Sequence, residues 1–229
     1  MSGASFDRIW EELYSSGSDV RYPYDQIVSF VYRRFPRHKP LDEIRILEIG
    51  CGTGNNLWFT AREGFQVYGV DASPSAIRKA RQRFSRENLT GNFAVADFAA
   101  LPFANGSFDL VLDRAAITCC GIGIAKRCVR EVRRVLMPGG AFFFNPYSDT
   151  HGSRLLGKVL GDGLFTQFTG GPFAHCGQIC FYSRANVENA FAEGWTILSM
   201  QHMECVENIG FEPSTHSEWR VHARKDDLE

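Results

Sequence analysis

The sequence predicts an α/β fold, a largely parallel sheet covered on both faces by helices. Three observations carry that expectation. Short apolar runs that read as buried strands alternate along the chain with stretches of helical spacing. The first such run, Arg45-Ile-Leu-Glu-Ile49, stops at a glycine cluster, as a parallel strand does before a tight turn into its helix. The chain has 229 residues, 44% hydrophobic and 22% charged, which is an ordinary globular composition at a length that buries a sizeable core.

In chain order, Phe6, Ile9, Trp10 and Leu13 recur at helical spacing and predict an amphipathic helix ahead of the sheet. After the strand at 45–49, residues 55–63 read as a helix closed by Gly64, and Gln66-Val-Tyr-Gly-Val70 as a second strand. Pro74 opens a helix to about Phe84, Phe93-Ala-Val95 is a weaker third strand, and Phe108-Asp-Leu-Val-Leu112 a fourth. Ala125 to Leu136 reads as a helix and Ala141-Phe-Phe-Phe144 as a fifth strand behind Pro138-Gly-Gly140. The Gly- and Phe-rich stretch 145–182 breaks the alternation and is expected to be an insertion over the sheet edge, with one short helix at 153–160. Ser183 caps a helix to about Glu193, and 195–200 with 218–223 form a closing antiparallel pair. The domain reading is therefore a helical cover at 1–40 and a main domain at 41–229 with a substrate-side insertion at about 146–182.

Lys and Arg number 25 against 26 Asp and Glu, so no broad positive field exists to draw in DNA or RNA, and no nucleic-acid partner is expected. Nowhere do about 18 apolar residues run together, and no basic leader precedes an apolar run, so the expectation is a cytoplasmic protein with no membrane partner. Seven cysteines without framework spacing are expected to be free thiols. Monomer and homodimer both remain open.

In a sheet of this kind ligands bind beyond the carboxyl ends of the strands. Those positions are acidic: Glu48, Asp71, Asp97 and Asp113 close or follow the first four strands. Gly50-Cys-Gly-Thr-Gly54 between the first strand and its helix permits a sharp turn and close ligand approach. Asn55-Asn56 stands where a P-loop needs Lys-Ser/Thr, and Asn55 where a nicotinamide fingerprint needs Gly or Ala. Asp71 can accept from two ribose hydroxyls. The combination suggests an adenosine ligand without a pyrophosphate.

Ile46-Leu-Glu-Ile-Gly-Cys-Gly-Thr-Gly54, Val70-Asp-Ala-Ser73, Ala96-Asp97 with Leu101-Pro-Phe103, Ser107-Phe-Asp-Leu-Val111 and Val135-Leu-Met-Pro-Gly-Gly140 stand in one order. Over roughly residues 40–202 the chain thereby resembles the class I S-adenosylmethionine-dependent methyltransferases, in their small-molecule, single-domain form. The resemblance implies a Rossmann-like three-layer sandwich whose seven-stranded, mostly parallel sheet has an antiparallel last strand. It implies S-adenosylmethionine as cofactor, a loop shaped by Gly50, Gly52 and Gly54, and Glu48 near the methionine end. Asp71 would hold the ribose, Ala72 and Ser73 would line the adenosine, and Asp97 with Phe98 would meet the adenine. Arg114 and Ala115 would lie near the sulfonium, and Cys51, Asn55 and Asp113 complete the implied set.

Methyl transfer from a sulfonium is an in-line displacement that needs alignment above all. A hydroxyl acceptor would also want a general base, for which His151 and His175 in the insertion are the candidates, with His202 behind them. Each has a structural alternative. Tyr14, Tyr22 and Tyr24 are candidates for ring faces toward the sulfonium. His175, Cys176 and Cys180 lack a matching second pair, so no metal is expected. Asn145-Pro-Tyr147 resembles the signature of exocyclic-amine methyltransferases but follows the fifth strand rather than the fourth. The expected reaction is methylation of a small-molecule acceptor. The alternatives are a protein or RNA substrate, held by arginines such as Arg78, Arg83, Arg127 and Arg130, and a non-catalytic cofactor-binding partner module. A closed apolar pocket under Phe165, Phe168 and Phe173 would favour the small acceptor.

Overall fold

The structure is a computed structural model that describes residues 6–209 and 214–227. Seven strands form the main sheet: β1 (Arg45–Ile49), β2 (Gln66–Asp71), β3 (Asn92–Val95), β4 (Phe108–Arg114), β5 (Leu136–Asn145), β9 (Trp195–Glu207) and β10 (Ser214–Lys225). Their order is β3-β2-β1-β4-β5-β10-β9, with β1 to β5 parallel and β10 antiparallel to both of its neighbours. The seven-stranded, mostly parallel sheet with an antiparallel last strand is the expected architecture.

Alternation along the strands divides the core. Leu47, Val111, Phe142 and Phe144 face α5 (Ile122–Val135) and α6 (Arg184–Ala190), where Val129, Val132 and Val187 meet them. Ile46, Leu110, Leu112 and Phe143 face the other layer, made by α2 (Asp25–Arg34), α3 (Asn55–Arg62) and α4 (Pro74–Arg86). Within that layer Ile27, Phe30 and Val31 of α2 are fully buried, so α2 is core, whereas α1 (Ile9–Ser15) buries no residue completely. The helix starts follow their caps. Ser73 accepts from the Ala76 amide with Pro74 behind it, and Ser183 and Asn186 form a reciprocal box at α6.

Two local expectations change. β5 begins at Leu136 because Met137 to Gly140 form a bulge in which the β4–β5 register shifts between Phe108 and Leu110 and Gly139 takes a φ of +71°. Of residues 153–160 only 153–156 are helical, and no α-helix forms there. A 3-10 turn, Gly152–Leu156, leads into β6 (Lys158–Gly161), which pairs with β7 (Leu164–Thr166) and then β8 (Gln178–Cys180) as a small antiparallel sheet. Its first hairpin turns at Asp162-Gly163, with φ of +51° and +76°. An Asp-Gly pair suits that mirror-type turn because both central residues need positive φ.

Phe143 is fully buried and its ring lies 5.3 Å from that of Phe30. Phe143→Ala is expected to cost about 3–5 kcal/mol of stability, read as a lower urea midpoint with an unchanged slope.

Candidate cofactor and acceptor site

The strand order reverses at β1, whose neighbours β2 and β4 lead into α4 and α5 on opposite faces of the sheet. The carboxyl ends of β1 and β4 therefore open a crevice that the chain's own turns cannot fill. A cavity of about 210 Å³ lies there, lined by Glu48, Gly50, Cys51, Gly52, Asn55, Asp71, Ala72, Phe98, Arg114 and Ala115 among others. Ten of the fourteen cofactor residues expected from the sequence thus come together.

The other four serve the walls. Gly54, with φ of +78°, opens α3, and a Cβ there would meet Ala80, Phe84 and Phe93 at 3.3–3.5 Å. Ser73 caps α4 and donates its hydroxyl proton to Glu11. Asp97 is exposed and accepts from the Ala99 amide at 2.7 Å. Asp113 accepts from the amides of Ala116 and Ile117 at 2.9 and 3.0 Å, which sets the loop carrying Arg114 and Ala115.

Inside the cavity, one oxygen of Glu48 accepts from Asn56 at 2.6 Å, while no described residue donates to the buried Oε2. Burial pushes the Glu48 carboxyl up to about 8; Asp113 and Asp71 add to this, and Asn56 and Arg114 pull against it. Asp71 accepts from the amides of Gly52 and Ser73, both at 2.9 Å, and burial raises it in spite of those bonds. Gly50 and Gly52 take φ of +61° and +52°, where a side chain is strained. A Cβ on Gly50 would stand 2.2 Å from that of Ala116, and one on Gly52 would stand 2.7 Å from the Tyr14 hydroxyl.

The N-terminal segment closes the mouth. Phe6, Asp7, Trp10, Tyr14, Val20 and Tyr24 all line the cavity. Glu11 ties α1 to α4 through Ser73 and Ser75, Asp19 accepts from Thr53 and Arg83, and Asn55 and Asn56 bond to the backbone of Tyr22 and Tyr24. Tyr22 itself is exposed. Asn56, Cys119 and Tyr147 also line the cavity and escaped the sequence reading of the site. Asn56 had a signal, since it sits one turn position into the helix that the glycine loop opens. Cys119 and Tyr147 had none, because a loop after β4 and a bend after β5 bring them in.

Neither histidine expected as base reaches the cavity. His151 is 2% exposed, packed on Tyr147, Phe173, Phe181 and His216; its Nδ1 accepts from the Ser153 amide. Burial and His216 push it down to about 4. His175 is exposed beside the outer face of α1, and His202 bonds Ser148 and lies against Trp219. Phe168 and Phe173 fill the space beneath the insertion with their own rings, so the closed space lies under α1 instead. Among the described residues no group of three His, Cys, Asp or Glu is placed to hold a metal ion, and no helix is long and apolar enough to cross a membrane.

Residues 46–140 match a family model described as a methyltransferase domain. The chain is 33% identical over 114 residues to a malonyl-[acyl-carrier protein] O-methyltransferase of Erwinia pyrifoliae, covering 48% of this chain and 40% of that one. It is 36% identical over 98 residues to a 2-methyl-6-phytyl-1,4-hydroquinone methyltransferase of Synechocystis, covering 42% and 29%. The chain thus spans less than half the length of these curated relatives. The solved structure of an S-adenosylmethionine-dependent methyltransferase from Methanosarcina mazei superposes with a TM-score of 0.72 at 20% identity, covering 90% of this chain and 100% of that one. Over residues 46–140 the chain carries a methyltransferase domain, and its fold is that of a solved S-adenosylmethionine-dependent methyltransferase.

S-adenosylmethionine is the cofactor of such a domain, and the residues here fit it. The methyltransferase domain offers a buried carboxylate oxygen without a donor where an ammonium can sit, and a cradle of two side-chain-free residues beneath Tyr14. It also offers an acidic residue at the end of β2.

A carboxyl raised in the folded state stabilises the fold fully below its ordinary value of 4.5, and that contribution is lost as pH rises toward about 8. Glu48→Gln is therefore expected to melt level with the parent near pH 4.5 and above it at pH 8, by about 2–4 °C for each kcal/mol regained. A gap that stays constant across that range would contradict the assignment.

Proposed function

We propose that this chain transfers a methyl group from S-adenosylmethionine to a small-molecule acceptor by in-line displacement. The observation that carries the reading is the cavity at the β1–β4 switch point, with Glu48, Asp71 and the glycine loop on one side and an aromatic cover on the other. Bound there, S-adenosylmethionine supplies a methyl group on a positively charged sulfur. Glu48 Oε2 would take the ammonium, Asp71 the ribose hydroxyls, and Ala72 and Phe98 the adenosine.

The chain's own contribution is positioning and exclusion of water. Trp10, Tyr24, Cys119 and Tyr147 close the remaining wall. Burial pushes the Tyr14, Cys119 and Tyr147 groups up, Tyr147 to about 12, so all three are protonated at neutral pH. No described histidine lines the cavity, so the mechanism relies on an acceptor that is already nucleophilic, aligned and desolvated. The cavity is smaller than the about 300–1,000 Å³ of sites for drug-sized ligands, because Tyr14 stands over Gly52. Entry of the cofactor therefore displaces α1, which polar bonds rather than complete burial hold in place.

A macromolecular acceptor is less well supported. On α4, Lys79 and Arg83 bond the carbonyls of Ser18 and Val20, and on α5, Arg133 and Arg134 bond those of Gly194, Phe103 and Leu101. These cations serve the chain's own backbone. The two relatives are named for a malonyl group on a carrier protein and for a hydroquinone, in line with small reacting groups.

Calorimetric titration is expected to show binding of S-adenosylmethionine and S-adenosylhomocysteine and none of NAD. Asp71→Ala should weaken both by about 1.5–3 kcal/mol; unchanged affinity would remove the ribose role. Glu48→Gln should weaken S-adenosylmethionine but not 5′-methylthioadenosine, which lacks the amino-acid end. Equal losses for the two would place Glu48 elsewhere.

A further inference from the structure

One cation of the cavity has no part in the reading above. Arg114 leaves the end of β4 just before Ala115, whose φ of +57° is unusual for a residue with a side chain. The strain is held by the Asp113 bonds to the two amides that follow. The Arg114 guanidinium lies 4.4 Å from the centre of the Tyr24 ring, and Tyr147 lines the same cavity. With the Gln26 amide turned to satisfy both of its ends, Nε of Arg114 donates to its oxygen at 2.8 Å.

The ion pair of Arg114 is incomplete. Its nearest carboxylate oxygen is that of Glu218, at 3.5 Å, beyond the about 2.7–2.9 Å of a charge-assisted bond. Glu218 is already engaged: one oxygen accepts from Arg220 at 2.7 Å and the other stands 3.3 Å from His216. Two guanidinium groups thus share one carboxylate in a place where the Arg114 side chain is 13% exposed and that of Glu218 2%. Of the other acids at these strand ends, Asp71 accepts from the amides of Gly52 and Ser73 and one oxygen of Asp113 from its own loop, while Glu48 Oε2 and Asp113 Oδ2 have no described donor; no described ion pair joins any of the three to Arg114. A guanidinium so loosely paired and so little exposed can gain a closer partner from an incoming anion.

Tyr147 shares this corner, its ring held by His151 and Phe173 at 5.4 and 4.8 Å. Trp10 and Cys119 make the adjoining wall apolar. Arg114 has five N–H donors in a plane, a fork that matches a carboxylate, and the phenol of Tyr147 can donate once more. We propose that Arg114 and Tyr147 form an anchor for the carboxylate of a small apolar acid, which is then the acceptor class of this domain. The proposal rests on the methyltransferase reading and deepens it.

The test is calorimetry on the full chain saturated with S-adenosylhomocysteine, titrated with benzoate and hexanoate and, as neutral counterparts, benzamide and hexanamide. The acids are expected to bind at least about tenfold tighter than the amides, and Arg114→Gln to shrink that preference to about twofold. Tyr147→Phe should reduce acid binding by about three- to fivefold and leave the amides unchanged. Should Arg114→Gln fail to fold, the native comparison and Tyr147→Phe still decide. Equal affinity for acid and amide on the native protein would overturn the anchor and leave the methyltransferase reading standing. The carboxylate could instead be the cofactor's own. Loss of S-adenosylhomocysteine affinity in Arg114→Gln with 5′-methylthioadenosine unaffected would show that and overturn the acceptor assignment. Failure of the native protein to bind S-adenosylhomocysteine would overturn both.

Discussion

At the carboxyl edge of a parallel sheet, a strand whose neighbours lead to helices on opposite faces leaves a gap that backbone cannot bridge, and here that strand is β1. The rest of the site follows from this constraint. The glycine turn has to leave β1 at once to enter α3, and so takes positive φ at Gly50, Gly52 and Gly54. Acidic side chains at the strand ends point into a space with little water, where each unpaired polar group is costly. The chain meets that cost with backbone amides at Asp71 and Asp113 and with Asn56 at Glu48. Pairing stops at Glu48 Oε2 and Asp113 Oδ2, which no described residue reaches with a donor.

The two N-terminal helices illustrate how differently neighbouring elements can be held. α2 buries Ile27, Phe30 and Val31 against β4 and β5, so displacing it would open the core. α1 reaches the body through Glu11, which bonds Ser73 and Ser75, and through half-buried aromatic rings. Segments held in this way open at a lower free energy than the core elements. The same contrast separates the main sheet from the small sheet of β6 to β8, where all four residues of β6 are exposed.

Much of the main sheet was legible because its cause is local. A short apolar run ended by glycine and followed by helical spacing specifies strand, turn and helix within a few residues, and β1, β2, β4, α3 and α4 stand close to where that pattern puts them. The insertion was less legible. Gly161-Asp-Gly163 carries a hairpin signal that the expected helix at 153–160 ignored, and the turn at Asp162-Gly163 forms β6 and β7 instead. His151 and His175 were judged by residue type and by their place in the insertion, and nothing local distinguishes a ring buried among Phe173 and Phe181 from one facing a ligand.

From local pattern alone came the parallel sheet, the glycine loop and an acidic residue after each of four strands. Which of those acids line the cavity was a matter of packing. Glu48 and Asp71 line the cavity, while Asp97 turns the backbone at Ala99 and Asp113 props the loop that follows it. The physical reason is one of range: strand and turn propensities act over a few residues, but burial depends on elements brought together from afar. The carboxylate nearest Arg114 comes from β10, and the ring beneath it comes from the residue that opens α2. Only the folded sheet puts those three side chains in one corner.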